Sequence, residues 1–264
     1  MNAPNTEPGW AQKCLAGARY GAVAALVLLV IAGPGYRWRL LPLPVALQGF
    51  FLCGVLAAAV AFLLGGAALL LSGAARRQPQ ASRNWMAFGF GAAVVLACGY
   101  WYAQLRAAPL LHDVSTDTTQ PPVFVEAVGL RAADHAENTA DYVRDYTVGT
   151  TAVNAPQAQK DAYPDVRPVM LKMKPDKAFA VADKAARSMG WNIVAVVPSE
   201  GRIEATATSL YFGFKDDIAI RVRSELNGRG SIVDMRSSSR AGANDFGRNS
   251  RQRRAYAERL RQMK

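Results

Sequence analysis

The sequence predicts a membrane-anchored α+β protein, with three N-terminal transmembrane helices followed by an antiparallel four-stranded sheet packed with helices. Three observations carry that reading. Between Leu15 and Leu105 only six residues are charged, all arginine, whereas charges and turn residues run throughout the chain from Arg106 onward. In the second half, short runs alternate apolar and polar residues with the period of two that a strand imposes. Helix-spaced apolar residues flank those runs on both sides. The chain therefore divides into an anchor, residues 1–109, and a soluble domain, residues 110–264. The soluble domain has an irregular lead at 110–165 and a sheet-and-helix core at 166–264.

A helix needs about 20 apolar residues to cross the hydrocarbon core of a bilayer. Residues 15–32, 45–71 and 85–105 supply three such runs. Arg19 lies near the start of the first, where a long side chain can snorkel to the headgroups. The second carries no charge and is long enough to span with tilt. The third has Trp85, Tyr100, Trp101 and Tyr102 near its ends, as interfacial aromatic belts require. Gly33-Pro34-Gly35 follows the first run in place of an A-x-A cleavage site, so that run is a span rather than a secretion signal. No Asp, Glu, Lys or His lies within the three runs. A proton relay or ion pathway needs such groups at membrane depth, so the helices form an anchor and not a transporter.

Loop charges set the orientation. Lys13, Arg19, Arg76, Arg77 and Arg83 fall on one side, against Arg37, Arg39 and Arg106 on the other. The positive-inside bias then puts the N-terminus in the cytoplasm and the large domain outside it, at the inner membrane. Gly17 and Gly21 form a G-x-x-x-G, and Ala61 and Gly65 a second small-residue pair. Such spacing lets helices approach closely in lipid, so a homo-oligomer through Gly17 and Gly21 is one expectation. Cys14, Cys53 and Cys98 all lie in or beside apolar segments and suggest neither a disulfide framework nor a zinc site.

In the soluble half, Thr118–Pro122 predicts an extended segment leaving the membrane. Residues 132–146 predict one or two short helices, and Pro156 and Pro164 bound another short piece. Pro175 stands where a first-turn proline belongs, an apolar stripe from Phe179 to Met189 follows, and Gly190 marks the stop. Trp191–Val197 predicts a strand and Pro198–Gly201 a turn. Arg202–Thr208 alternates, with Ile203, Ala205 and Ala207 on one face. Ile218, Ile220 and Val222 do the same, Asn227-Gly228 predicts a hairpin turn, and Ser231–Arg236 the return strand. Arg248–Met263 closes the chain as a basic helix. One sheet face is expected to be wet and the other covered by helices.

Four blocks, LLHDVSTDTTQPPVF (Leu110–Phe124), AYPDVRP (Ala162–Pro168), FGFKDDIAIRV (Phe212–Val222) and VDMRSSSRAGANDFGRNSRQRR (Val233–Arg254), resemble the bacterial domain-of-unknown-function 1499 family, in the right order. The resemblance implies a small helical membrane anchor ahead of the domain and implies no activity.

The polar residues in these blocks are the candidates for chemistry. His112, Asp113 and Asp117 form the densest cluster, with donor types that suit divalent ions. Asp and Ser/Thr before a Thr/Pro-rich stretch also make turns through their own backbone. Asp216 and Asp217 are a carboxylate pair, but neighbours on a strand point to opposite faces and cannot share a substrate. Ser239, Arg240, Gly242, Asn244, Asp245 and Arg248 lie in a Gly/Ser/Arg loop before the last helix. Backbone N–H groups there could cradle an anion, or an Asn or Asp could cap the helix. No catalytic, cofactor or metal residue is assigned. The net charge of +11 is uneven: residues 106–165 hold 4 Lys and Arg against 9 Asp and Glu, and residues 166–264 hold 20 against 10.

The expected role is a non-enzymatic binding or structural module of the cell envelope. Its partners would be the lipid bilayer, anionic lipid headgroups or an envelope protein. One alternative is a membrane-anchored hydrolase or metal-dependent enzyme using the Asp-rich blocks. Another is a cytoplasmic-facing domain binding nucleic acid or protein, and an external domain makes nucleic acid the less fitting partner.

Overall fold

The structure is a computed structural model that describes residues 10–71, 81–225, 228 and 230–263. Uninterrupted apolar sequence gives helix α1 (Trp10–Arg37), a π-helical stretch (Val45–Leu52) continuing into α2 (Cys53–Leu71), and α3 (Ala81–Ala107). Two segments, Gln12–Arg37 and Val45–Ala68, are long and apolar enough to cross a membrane by length and composition. The expected third span does not meet that measure. α3 is a long helix, but its apolar stretch is only Phe88–Tyr100. Arg83 and Asn84 at one end, and Gln104 and Arg106 at the other, shorten it.

The helices bury their small residues and expose their large ones. Ala18, Ala25, Ala32, Ala58 and Ala61 are buried, whereas Leu26, Val27, Val30, Leu56 and Leu63 are exposed. A helix packed for water does the reverse. A Cβ on Gly21 would lie 3.2 Å from the Ala57 carbonyl, and one on Gly17 would clash with Leu64. The G-x-x-x-G therefore lies against α2 of the same chain. Arg76 and Arg77, which entered the orientation argument, lie outside the described residues.

The chain falls into two compact units, divided at Gln104 and Leu105, with Tyr211–Gly213 counted in the first. The second unit contains β1 (Asp113–Ser115), α4 (Glu126–Ala133), β2 (Asp145–Val148), β3 (Thr151–Asn154), α5 (Ala155–Ala162), β4 (Val169–Leu171), α6 (Pro175–Ser188), β5 (Asn192–Val197), β6 (Arg202–Thr208), β7 (Lys215–Ser224), β8 (Ser231–Ser239) and α7 (Arg248–Gln262). β5 to β8 are the four predicted strands, all antiparallel. The sheet nonetheless has six, in the order β1-β8-β7-β6-β5, with β4 also on β8. The two extra strands have three residues each, too few to display an alternation. They share one edge of β8: β1 pairs with Arg236–Ser238 and β4 with Ser231–Val233.

The predicted helices over 132–146 are absent. α4 forms earlier, at Glu126–Ala133, and the carbonyls of Asn138 and Thr139 turn to accept from Arg131 instead of from a helix. The short piece between Pro156 and Pro164 is α5, capped by Asn154, whose side chain accepts from Gln157 N. α6 starts at Pro175, and Gly190 takes φ +70° just past its end. Gly201 turns β5 into β6 at φ +63°, and a Cβ there would strike the Val222 carbonyl. Gly228 has φ +68°, while Asn227 lies outside the described residues.

The main core lies between one sheet face and the α6–α7 layer. Ile203, Ala205, Ile218, Ile220, Val233 and Met235 meet Ala178, Ala182, Ala186, Tyr256 and Leu260 there. The Tyr256 hydroxyl donates to the Ala182 carbonyl at 3.1 Å, tying the two helices together. The expectation of a wet opposite face is overturned. Glu204, Asp217, Asp234 and Arg236 on that face are all within 1% of full burial. Each has an opposite charge or a backbone donor beside it, which is what allows α4 and the lead segment to cover them.

Candidate functional site

β7 and β8 send consecutive residues to opposite faces, so the family-like blocks build two separate polar clusters. On the polar face, the register aligns Thr206, Asp217, Ser238 and Asp113 across β6, β7, β8 and β1. Arg240 donates to both oxygens of Asp217, Nε at 2.9 Å and Nη2 at 2.7 Å. Arg131 Nε stands 2.9 Å from the same carboxylate, off the axis of a hydrogen bond. Arg236 grips Asp113 through Nε at 3.1 Å and Nη2 at 2.6 Å, with its guanidinium 4.6 Å from the centre of the Phe124 ring. Planar, bidentate pairs of this kind are the strong form of the interaction.

The remaining charges of that face are matched as well. Asp134 bridges Lys215 and Arg240 at 2.5 Å each. Burial pushes its carboxyl up, but those two cations more than offset this and hold it below the usual range. Asp234 takes Arg221 and Arg223, each at 2.9 Å. Asp117 accepts from Arg221 at 3.1 Å and from the backbone N–H groups of Thr119 and Gln120. Glu204 accepts from three backbone N–H groups, those of Val125, Glu126 and Ala127, and so holds the first turn of α4 from across the sheet. Arg202 pairs with the same carboxylate.

The second cluster lies on the helix side. Asp216 accepts from Ser239 Oγ at 2.7 Å and Gln252 Nε2 at 2.8 Å, and pairs with Arg248 at 2.9 Å. Asn249 Nδ2 donates to the His112 carbonyl at 2.9 Å and to Ser239 Oγ. Asp245 accepts from Gly247 N at 2.7 Å and Asn249 N at 2.8 Å. The N–H groups at the start of α7 are thus met by the chain's own carboxylate. Asn244 Oδ1 accepts from Phe246 N, and the Gly242 N–H donates to Glu137. Burial raises Asp216 above the normal carboxylate range and pushes Asp245 up to about 6. Burial lowers His112, whose Nδ1 is buried with no hydrogen-bond partner.

The structure therefore regroups the predicted residues. Asp216 joins Ser239, Asp245 and Arg248 around the start of α7. Asp217 and Arg240 join Asp113 on the far face, and Asp117 sits with Asp234. Adjacent Asp216 and Asp217 point apart, as strand geometry requires. Arg131, Glu204, Asp234 and Asn249 were not singled out from the sequence. Their only signal was polar residues in alternation, whose partners are revealed by register. Among the described residues, no group of three or more His, Cys, Asp or Glu side chains is arranged to hold a metal ion. A groove of about 320 Å³ lies between α6 and α7, lined by Ser188, Met189, Ala255, Glu258, Arg259 and Gln262. It holds none of the predicted site residues.

The predicted basic face of α7 is likewise divided. Arg253 is buried and donates to the carbonyls of Asp165 and Arg167. Arg254 pairs with Asp165 at 2.6 Å and, by that hydrogen bond, holds the carboxyl down to about 2. Arg251, Arg259 and Arg261 remain exposed on α7, and Lys174, Lys177 and Lys184 on or beside α6. Lys264 lies outside the described residues.

In comparison with known proteins, a family model described as "Protein of unknown function (DUF1499)" matches residues 113–260, more than half of the chain. No curated protein matches.

Proposed function

The chain belongs to the DUF1499 family, and from that premise we propose that it is a multi-pass inner-membrane protein whose extracytoplasmic domain is a non-enzymatic binding module for an acidic partner protein of the envelope. One observation carries this reading. Most charged residues of the family-like blocks are met by one another or by backbone groups, so they act as a scaffold, and the groove between α6 and α7 gathers none of them. The exposed charge is elsewhere, on the α6–α7 layer, where Lys174, Lys177, Lys184, Arg259 and Arg261 outnumber the exposed Asp176 and Glu258.

The inverted helices support the anchor. Buried alanines with exposed leucines and valines suit lipid, where small residues let helices pack and large ones meet acyl chains. In this reading α3, 27 residues long, completes a third crossing, and anchor and domain divide near residue 109.

The test uses the full chain in zwitterionic nanodiscs, with a fluorescent polyglutamate peptide as the acidic probe. Binding at low salt, abolished by 1 M salt and by the triple change Lys177→Glu, Arg259→Glu, Arg261→Glu, is the expected result. No binding at low salt overturns the reading. A reporter fused after Lys264 that is active in the cytoplasm reverses the orientation.

A further inference from the structure

The six-stranded sheet has two unlike edges. On one, β1 and β4 have three residues each. On the other, β5 is the terminal strand, paired with β6 alone among the described residues. It reads N-I-V-A-V-V, six residues with no charge and no proline. An open strand edge is a template for pairing with another chain, and natural edges are guarded by Lys, Pro, short length, a covering element or a bulge. Of these devices the strand itself carries one. Its register on β6 shifts at Val194, between the Ile193–Ala205 and Ala195–Glu204 pairs. α6 and α4 pack against β5, yet no described residue hydrogen-bonds to its outer edge.

The alternation of an antiparallel ladder fixes which β5 amides face outward. Val222 N donates to the Gly201 carbonyl at 2.7 Å, one step beyond the Arg202–Arg221 pair. Opposed residues alternate between hydrogen-bonded and non-hydrogen-bonded pairs. Ile203 and Ala205 therefore spend their amides on β7, whereas Arg202, Glu204 and Thr206 turn theirs to β5. Their partners there are Val197, Ala195 and Asn192. Ile193 and Val196 are left directing their N–H and C=O groups away from the sheet. In a regular strand, residues three apart point their amides to opposite edges. The shift at Val194 brings these two to the same edge, and both side chains to the helix side, where they pack against the main core.

We propose that β5 pairs antiparallel with β5 of a second copy of this chain, about a two-fold axis, so that two sheets join into one. The occupant follows from the strand's complementarity to itself. Ile193 of each copy faces Val196 of the other on the same sheet face, as a hydrogen-bonded pair, and the outward groups of both strands find partners. Asn192 then falls opposite Val197 on the polar face. No like charges meet along the seam, because the strand holds none. The pairing does not use the charges of the α6–α7 layer, so it stands apart from the acidic-partner reading.

The test mixes two full-length chains in detergent, each with Cys14, Cys53 and Cys98 changed to alanine. One carries Asn192→Cys and the other Val197→Cys, with different affinity tags. As a non-hydrogen-bonded pair these positions lie with Cα atoms about 4.5 Å apart, within disulfide reach. Two copies of either position lie roughly 15 Å apart. Mild oxidation is expected to give the 192–197 disulfide several-fold more than either like-with-like product. Yields in the statistical proportion, or no disulfide, overturn the proposal. A second pair of variants separates pairing from folding. Asn192→Glu with Val197→Glu sets like charges opposite one another at both ends, and sedimentation should then show a monomer. Asn192→Lys with Val197→Glu sets opposite charges together and should restore the dimer. A dimer that survives the double glutamate, or a lysine variant that fails to restore it, overturns the pairing. A parent chain that sediments as a monomer overturns it as well, and leaves the edge to a foreign strand.

Discussion

Arg236 is the largest side chain with almost no exposure, and its partner Asp113 is 123 residues away in sequence. Removing one member of a buried pair leaves an uncompensated charge, at a cost of about 3–5 kcal/mol. Arg236→Ala should therefore cost about that much in urea unfolding, and Asp113→Ala with Arg236→Ala much less than the sum of the single changes. A residue kept for catalysis alone would show no such coupling. Asp245 makes a second prediction at this scale. Its folded-state pKa of about 6 lies above the ordinary 3.8, so the folded domain binds this proton more tightly than the unfolded chain. The stability it contributes is fully present below about pH 4 and is lost as pH rises through 6, at a slope of up to about 1.4 kcal/mol per pH unit. Thermal melts of Asp245→Asn across pH 4–7 should show a shallower decline than the parent. Asp216, also raised by burial, should keep part of that slope in place.

At the scale of elements, α4 depends on a carboxylate that is not its own. Val125, at its N-cap position, makes no side-chain cap, and Glu204 on β6 takes the exposed N–H groups instead. Glu204→Ala should release α4 with loss of hydrogen-exchange protection at 126–133, while β6–β7 amides stay protected. Equal loss of protection in the sheet would show that Glu204 supports the whole unit and not this helix. α4 also marks the limit of what the sequence disclosed. β5 to β8, α6 and α7 were legible because each is long enough to repeat its own period, and because Pro175, Gly190 and Gly201 punctuate them. β1, β4 and α4 were not, because three residues cannot alternate, and a helix capped from 77 residues away has no local start signal. The candidate site was legible as residue types but not as groupings. The opposed directions of Asp216 and Asp217 followed from strand geometry. That Asp245 would serve α7, and Asp113 would serve Arg236, depended on loop paths and register.

For the whole molecule, an acidic lead closes over a basic sheet and helix layer, and the two halves neutralise one another in the interior. Shortening the chain before β8, for example after residue 225, removes Arg236 and Arg240 and the central strand on which β1 and β4 both pair. Such a product should be cleaved by trypsin throughout residues 110–225 under conditions in which the full-length domain resists. Survival of a protected 110–225 fragment would contradict this dependence. The shared edge of β8 also has a consequence for biosynthesis. The ribosome delivers the lead, with its surplus of carboxylates, more than a hundred residues before the guanidinium groups that will enclose it. Until β8 emerges, the nascent domain cannot close its polar face. Assembly must therefore wait until residues 231–239 have left the ribosome, which leaves an interval in which a holdase could act on the exposed acidic segment.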